Sequence, residues 1–126
     1  MAEAKTIAKN TIADIYCELN RKVFLPGNKV FLEVGYQPKN VPAELFGHSL
    51  DYTILAPGFV PHSTSGTLNV GLDAVADKIK LEAGIFPETT LSVLFYHGRS
   101  LIAVGEIPII KEENHYVTEE HLVRRL

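Results

Sequence analysis

Along most of the chain apolar residues recur at every second position, the period of a strand with one face in a core and the other in solvent. From Thr11 to Leu19, Ala13, Ile15, Cys17 and Leu19 share one face while Asp14, Tyr16 and Glu18 share the other. Leu25-Pro26-Gly27-Asn28 then places Pro and Gly as a type II turn requires: Pro fixes φ at the second position and Gly accepts a positive φ at the third. A second strand follows, with Val30, Leu32, Val34 and Tyr36 on one face and Lys29 and Glu33 on the other. The span from Gln37 to Gly47 holds Pro38 and Pro42 and reads as a connection. A third strand, Ser49 to Ala56, sets Leu50, Tyr52 and Ile54 against Asp51 and Thr53. Pro57 to Gly66, rich in Pro, Gly, Ser and Thr, reads as a flexible loop, and Thr67 to Val70 as a short strand.

Thr89 to Tyr96 (TTLSVLFY) is apolar on both faces, the pattern of a central strand covered on both sides. His97-Gly98 carries the signal of a two-residue hairpin turn, because Gly accepts φ > 0. The return strand, Ser100 to Ile107, meets Pro108, which cannot donate a ladder hydrogen bond and marks an edge or an end.

Two periodicities compete over Leu72 to Glu88 (LDAVADKIKLEAGIFPE). Strand alternation sets Ile79, Leu81, Ala83 and Ile85 against Lys78, Lys80 and Glu82. Helical spacing joins Leu72, Val75, Ala76, Ile79 and Ala83. Punctuation favours the helix: Asp73 is a good N-cap, Gly84 sits where a left-handed C-terminal residue belongs, and Pro87 blocks continuation. The reading is therefore α+β, a single β-rich domain over residues 1–126 with one helix, 73–83, packed on a sheet. Residues 1–10 would be a flexible N-terminus, 11–46 an N-terminal hairpin and connection, and 47–126 the core. An all-β sandwich is the alternative if the segment is extended. Thr118 to Leu126 stays open between a short helix capped by Thr118 and a last strand through His121, Leu122 and Val123.

Leu72, Val75, Lys78-Ile79, Gly84-Ile85 and Pro87-Glu88 resemble the helix, glycine stop and following turn of the ubiquitin-like β-grasp family. LFYHGRSL, from Leu94 to Leu101, is similar to that family's next strand-turn-strand, about two residues late in register. The resemblance implies a β-grasp-like sheet from 47 to 126 with the N-terminal hairpin as an addition. It does not imply conjugation through the tail, because the chain ends Arg124-Arg125-Leu126 rather than in Gly-Gly. FLPGNKVFLEV, from Phe24 to Val34, instead resembles the opening of immunoglobulin-like sandwiches. YHGRSLIAVG, from Tyr96 to Gly105, is similar to a stretch of the anti-silencing histone chaperones, which implies an immunoglobulin-like sandwich and a histone-chaperone-like role.

Composition narrows the function more than it names it. The 126 residues suffice for one core, and 46% hydrophobic with 21% charged residues excludes a disordered chain. A net charge of −3 supplies no basic field for a phosphate backbone, so no nucleic-acid partner is expected. Met1 to Asn10 holds no apolar signal region, and no apolar run approaches the ~20 residues that span a bilayer. The expected location is the cytoplasm, or a virion if the protein is viral, with no membrane partner.

His48, His62, His97, His115 and His121 have no metal-ligand spacing, Cys17 lies on an apolar strand face, and no nucleotide cradle is present. Asp51, His62 and Ser63 are the residue types of a hydrolase triad, without the strained elbow that presents its serine. No cofactor, metal or catalytic residue is therefore expected, and a small enzyme built on His62 or His97 is the third reading. The leading one is a non-enzymatic protein-interaction or assembly module that binds another protein or copies of itself. A structural subunit of a virus or phage particle is the second. Tyr36, Phe59, Phe86 and Tyr96, aromatic residues at or beside turns, are the candidate partner-binding residues.

Overall fold

The computed structural model describes residues 14–37, 49–69, 73–84, 89–118 and 122–125, with Asp14 and 122–125 described by backbone alone. Every regular element among them is a strand: β1 (Asp14–Leu19), β2 (Val23–Phe24), β3 (Lys29–Gln37), β4 (Ser49–Leu55), β5 (Phe59–Val60), β6 (Ser63–Asn69), β7 (Val75–Ala83), β8 (Thr89–His97), β9 (Ser100–Glu112), β10 (His115–Thr118) and β11 (Leu122–Arg125). They form two antiparallel sheets. One has four strands in the order β1-β3-β7-β5. The other has seven, β2-β10-β9-β8-β4-β6, with β11 paired to β9 as well. The chain passes from one sheet to the other at every connection from β1 to β8, then stays in the larger sheet.

The helix expected over 73–83 is not formed, and the α+β fold class gives way to an all-β one, in line with the alternative. The segment is β7, paired along Val75 to Glu82 with β3. Strand alternation wins because β3 presents a long edge whose N–H and C=O groups need partners, and a helix would leave them unpaired. The helical punctuation has other uses. Asp73 sits in an exposed bend. The Gly84 amide donates to Gly58 O at 2.9 Å, and a Cβ on Gly84 would stand 2.6 Å from that oxygen. Gly84 is thus a point of close backbone approach rather than a helix stop.

Turn chemistry accounts for two further departures. Asn28 N–H donates to Leu25 O at 3.0 Å, and Gly27 has φ 87°, as the type II turn requires. Ala56-Pro57-Gly58-Phe59 repeats the device: Phe59 N–H donates to Ala56 O at 3.0 Å, and Gly58 has φ 86°. The expected loop from Pro57 to Gly66 is therefore a tight turn, the short β5, a cis Val60–Pro61 bond and the first half of β6. In the β8–β9 hairpin His97 pairs with Ser100, so the two turn residues are Gly98 and Arg99, one step later than expected. β9 also continues past Pro108 to Glu112. Its far edge pairs first with β11 and then with β10, and Pro108 falls in the interval between them. In the tail, the strand alternative matches β11.

One core lies between the sheets. The four-stranded sheet contributes Ile15, Cys17, Leu19, Val30, Leu32, Val34, Tyr36 and Leu81. The larger sheet contributes Leu50, Ile54, Leu68, Leu91, Val93, Phe95 and Ile107. At one end Phe24 of β2 packs on Phe59 of β5 and on Tyr116 of β10, with ring centroids 6.0 and 5.5 Å apart. Along one side, Tyr52 lies over its register partner Gly66, where a Cβ would strike the ring. Its hydroxyl crosses to the other sheet and donates to Asp77 Oδ2 of β7 at 2.6 Å. The glycine is the reason the tyrosine can reach.

Candidate interaction surfaces

Each strand sends alternate side chains outward, so the two outer faces are where a partner could meet the molecule. On the outer face of the four-stranded sheet, register aligns Glu18, Glu33 and Lys78 in one row and Tyr16, Gly35 and Ala76 in the next. Tyr16 covers Gly35, where a Cβ would stand 2.8 Å from the phenolic oxygen, and donates to Glu33 Oε2 at 2.5 Å. Burial pushes the Tyr16 phenol well above its ordinary range, and the Glu33 bond with the charges of Glu33 and Glu18 pushes it further. Asn20 ends β1 by accepting from Phe31 N–H at 2.9 Å through its side chain while its own N–H donates to Phe31 O at 3.0 Å. Glu18, Asn20, Phe31, Glu33 and Lys78 line a depression of about 380 Å³. Its walls carry both signs of charge around one aromatic ring, a lining suited to polar contacts.

The outer face of the seven-stranded sheet is different. Register places Leu94 opposite Val104 and Tyr96 opposite Leu101 in the sheet centre, while on β4 Leu55 lies diagonal to Leu94, opposite Ser92. Leu55 is 41% exposed and Leu101 38%, while Leu94, Tyr96 and Val104 are half-buried. At one corner Val117 lies between Ile110 and Val23, the last 52% exposed. Thr53 and Asp51 pair with Leu94 and Tyr96, and Ser92 and Glu106 pair in the next row. Ser63, Ser65, Thr67 and Asn69 line the β6 side, with Asp51 accepting from the Thr67 hydroxyl at 2.8 Å. An apolar centre with a polar rim is the anatomy of a protein interface.

The four aromatic residues singled out from sequence do not come together. Tyr36 and Phe59 are core side chains, because the β3 alternation and the Pro57-Gly58 turn point them inward. Tyr96 lies half-buried on the outer face just described. Phe86 lies outside the described residues. Leu55, Leu94, Leu101 and Val104, the apolar residues of that face, were not singled out from sequence. The pattern of Thr89 to Tyr96 predicted a strand covered on both sides, whereas among the described residues only its inner face has a sheet packed on it.

The reactive side chains are dispersed. Burial, then the charge of Glu18, pushes the Cys17 thiol up to about 12, so at neutral pH it holds its proton. Asp51 faces Thr67, and Ser63 faces Leu55 four residues along β4, roughly 13 Å away at the strand rise. His62 is exposed, His97 ends β8, and His115 stands 3.7 Å from Glu112. His48 and His121 lie outside the described residues. Among the described residues no three His, Cys, Asp or Glu side chains converge as metal ligands, and no helix is long and apolar enough to cross a membrane. Comparison with protein-family models, with curated proteins and with solved structures finds no match to this chain.

Proposed function

We propose that the chain is a non-enzymatic protein-interaction or assembly module, and that the outer face of the seven-stranded sheet is its binding surface. The observation that carries this reading is the apolar band of Leu55, Leu94, Tyr96, Leu101 and Val104, which the core does not use. The outer face of β8 carries Leu94 and Tyr96 beside Thr90 and Ser92, and among the described residues only its inner face has a sheet packed on it. Burying the outer face against a partner would gain about 25 cal/mol for each Å² of apolar surface. The partner is another protein or further copies of this chain, in the cytoplasm or in a particle. The outer face of the four-stranded sheet interleaves Lys29, Lys78 and Lys80 with Glu18, Glu33 and Glu82, which does not favour a nucleic-acid partner.

Leu55→Ser with Leu101→Ser tests this reading, because both side chains are exposed and neither belongs to the core. The expected result is an unchanged circular dichroism spectrum and melting temperature together with loss of the stoichiometric partner that co-purifies with the wild type from its native cells. Retention of that partner at wild-type yield would overturn the reading.

A further inference from the structure

β6, Ser63–Asn69, is the terminal strand of the seven-stranded sheet. β4 pairs with it residue for residue, without a register shift, and among the described residues its other side makes no backbone hydrogen bond. Such an edge is a template for another strand unless the protein guards it with charge, Pro, a bulge or shortness. Among the described residues the other edge strands are shorter than β6 or carry charge. β2 and β5 have two residues each, and β5 runs into Pro61. β1 carries Glu18 on its outer face, and β7 beyond the reach of β5 carries Lys78 and Lys80. The β6 sequence, STSGTLN, has no charge and no Pro over seven residues.

We infer that β6 pairs antiparallel with β6 of a second copy, joining two seven-stranded sheets edge to edge across a twofold axis. The inference rests on the proposed interaction function and names how copies would meet. A twofold contact sets a strand against itself, so the strand must be self-complementary. For β6 the outward side chains are Ser63, Ser65, Thr67 and Asn69, whose hydroxyl and amide groups can hydrogen-bond across strands with no like charges opposed. Tyr52 fills the inner side of Gly66, so the edge is backed by a packed ring. Joined in this way, the apolar outer faces of the two copies would form one surface.

Light scattering of the full chain across a wide concentration range is the test. The wild type is expected to approach twice the monomer mass as concentration rises. Ser65→Lys with Thr67→Lys places lysines along the contact and is expected to stay monomeric with an unchanged circular dichroism spectrum. Leu55→Ser with Leu101→Ser is expected to dimerise like the wild type. A wild type that is monomeric throughout, or a lysine variant that dimerises equally well, would overturn the inference. If the lysine pair fails to fold, hydrogen exchange of the wild type decides. Amides of Ser63 to Asn69 should exchange more slowly in concentrated than in dilute solution, and equal rates would overturn the pairing. Failure here with the Leu55- and Leu101-dependent partner retained would leave the proposed function standing.

Discussion

Tyr16 and Tyr52 are built alike, each lying over a cross-strand glycine and donating to a carboxylate, yet they differ in what depends on them. Tyr52 joins the two sheets from a nearly buried position, whereas Tyr16 acts within one outer face. Tyr52→Phe would leave Asp77 without that donor between the sheets and is expected to cost roughly 1–3 kcal/mol. Tyr16→Phe, with water able to replace the lost bond, should cost no more than about 1 kcal/mol, and thermal melting compares the two. Equal losses would contradict the difference in role. The alternation that buried Tyr36 and Tyr52 was readable in the sequence. The Tyr–Gly pairs were not, because register decides which glycine faces which tyrosine, and register involves residues distant in sequence. Phe59 was misassigned for a local reason: Pro57-Gly58 bears the same turn signal as Pro26-Gly27 and aims Phe59 inward.

At the scale of elements, β7 separates what the local sequence prefers from what its neighbours impose. Its alternation was visible beside the helical stripe, but the value of pairing with β3 was not, since it depends on a strand more than forty residues earlier. The two arrangements assign different residues to the core. Helical spacing would bury Ala76 and leave out Leu81, whereas β7 exposes Ala76 and buries Leu81. Leu81→Ala is therefore expected to cost about 2–5 kcal/mol. Ala76→Lys is expected to stay within about 0.5 kcal/mol of the wild type by denaturant unfolding. The reverse order would contradict the strand. The β8 pattern predicted a strand covered on both sides; among the described residues its inner face is covered by the other sheet and its outer face is not.

Over the whole molecule, one core between two sheets also sets the response to pH. Cys17, Tyr16 and Tyr52 are neutral when protonated, and burial raises all three above their ordinary values. The folded chain holds these protons more tightly than the unfolded chain, so their contribution is complete below the unfolded values and shrinks as pH rises. For Cys17 the window runs from about 9 to about 12, with the tyrosines losing theirs from about 10 upward. Urea midpoints should fall steadily above pH 9, and a flat profile would contradict the burial of these groups. The all-β architecture positions the proposed surface: the inner faces are consumed by the core, one outer face is lined mainly by charged residues, and the other sets half-exposed apolar residues among polar ones. Site-specific photo-crosslinking in native cells tests that assignment most directly, with the probe at Leu101 on the apolar face and, separately, at Lys80 on the charged one. The expected result is a discrete crosslinked species, to a partner or a second copy, from position 101 and little from position 80; equal yields, or a product from position 80 alone, would contradict it.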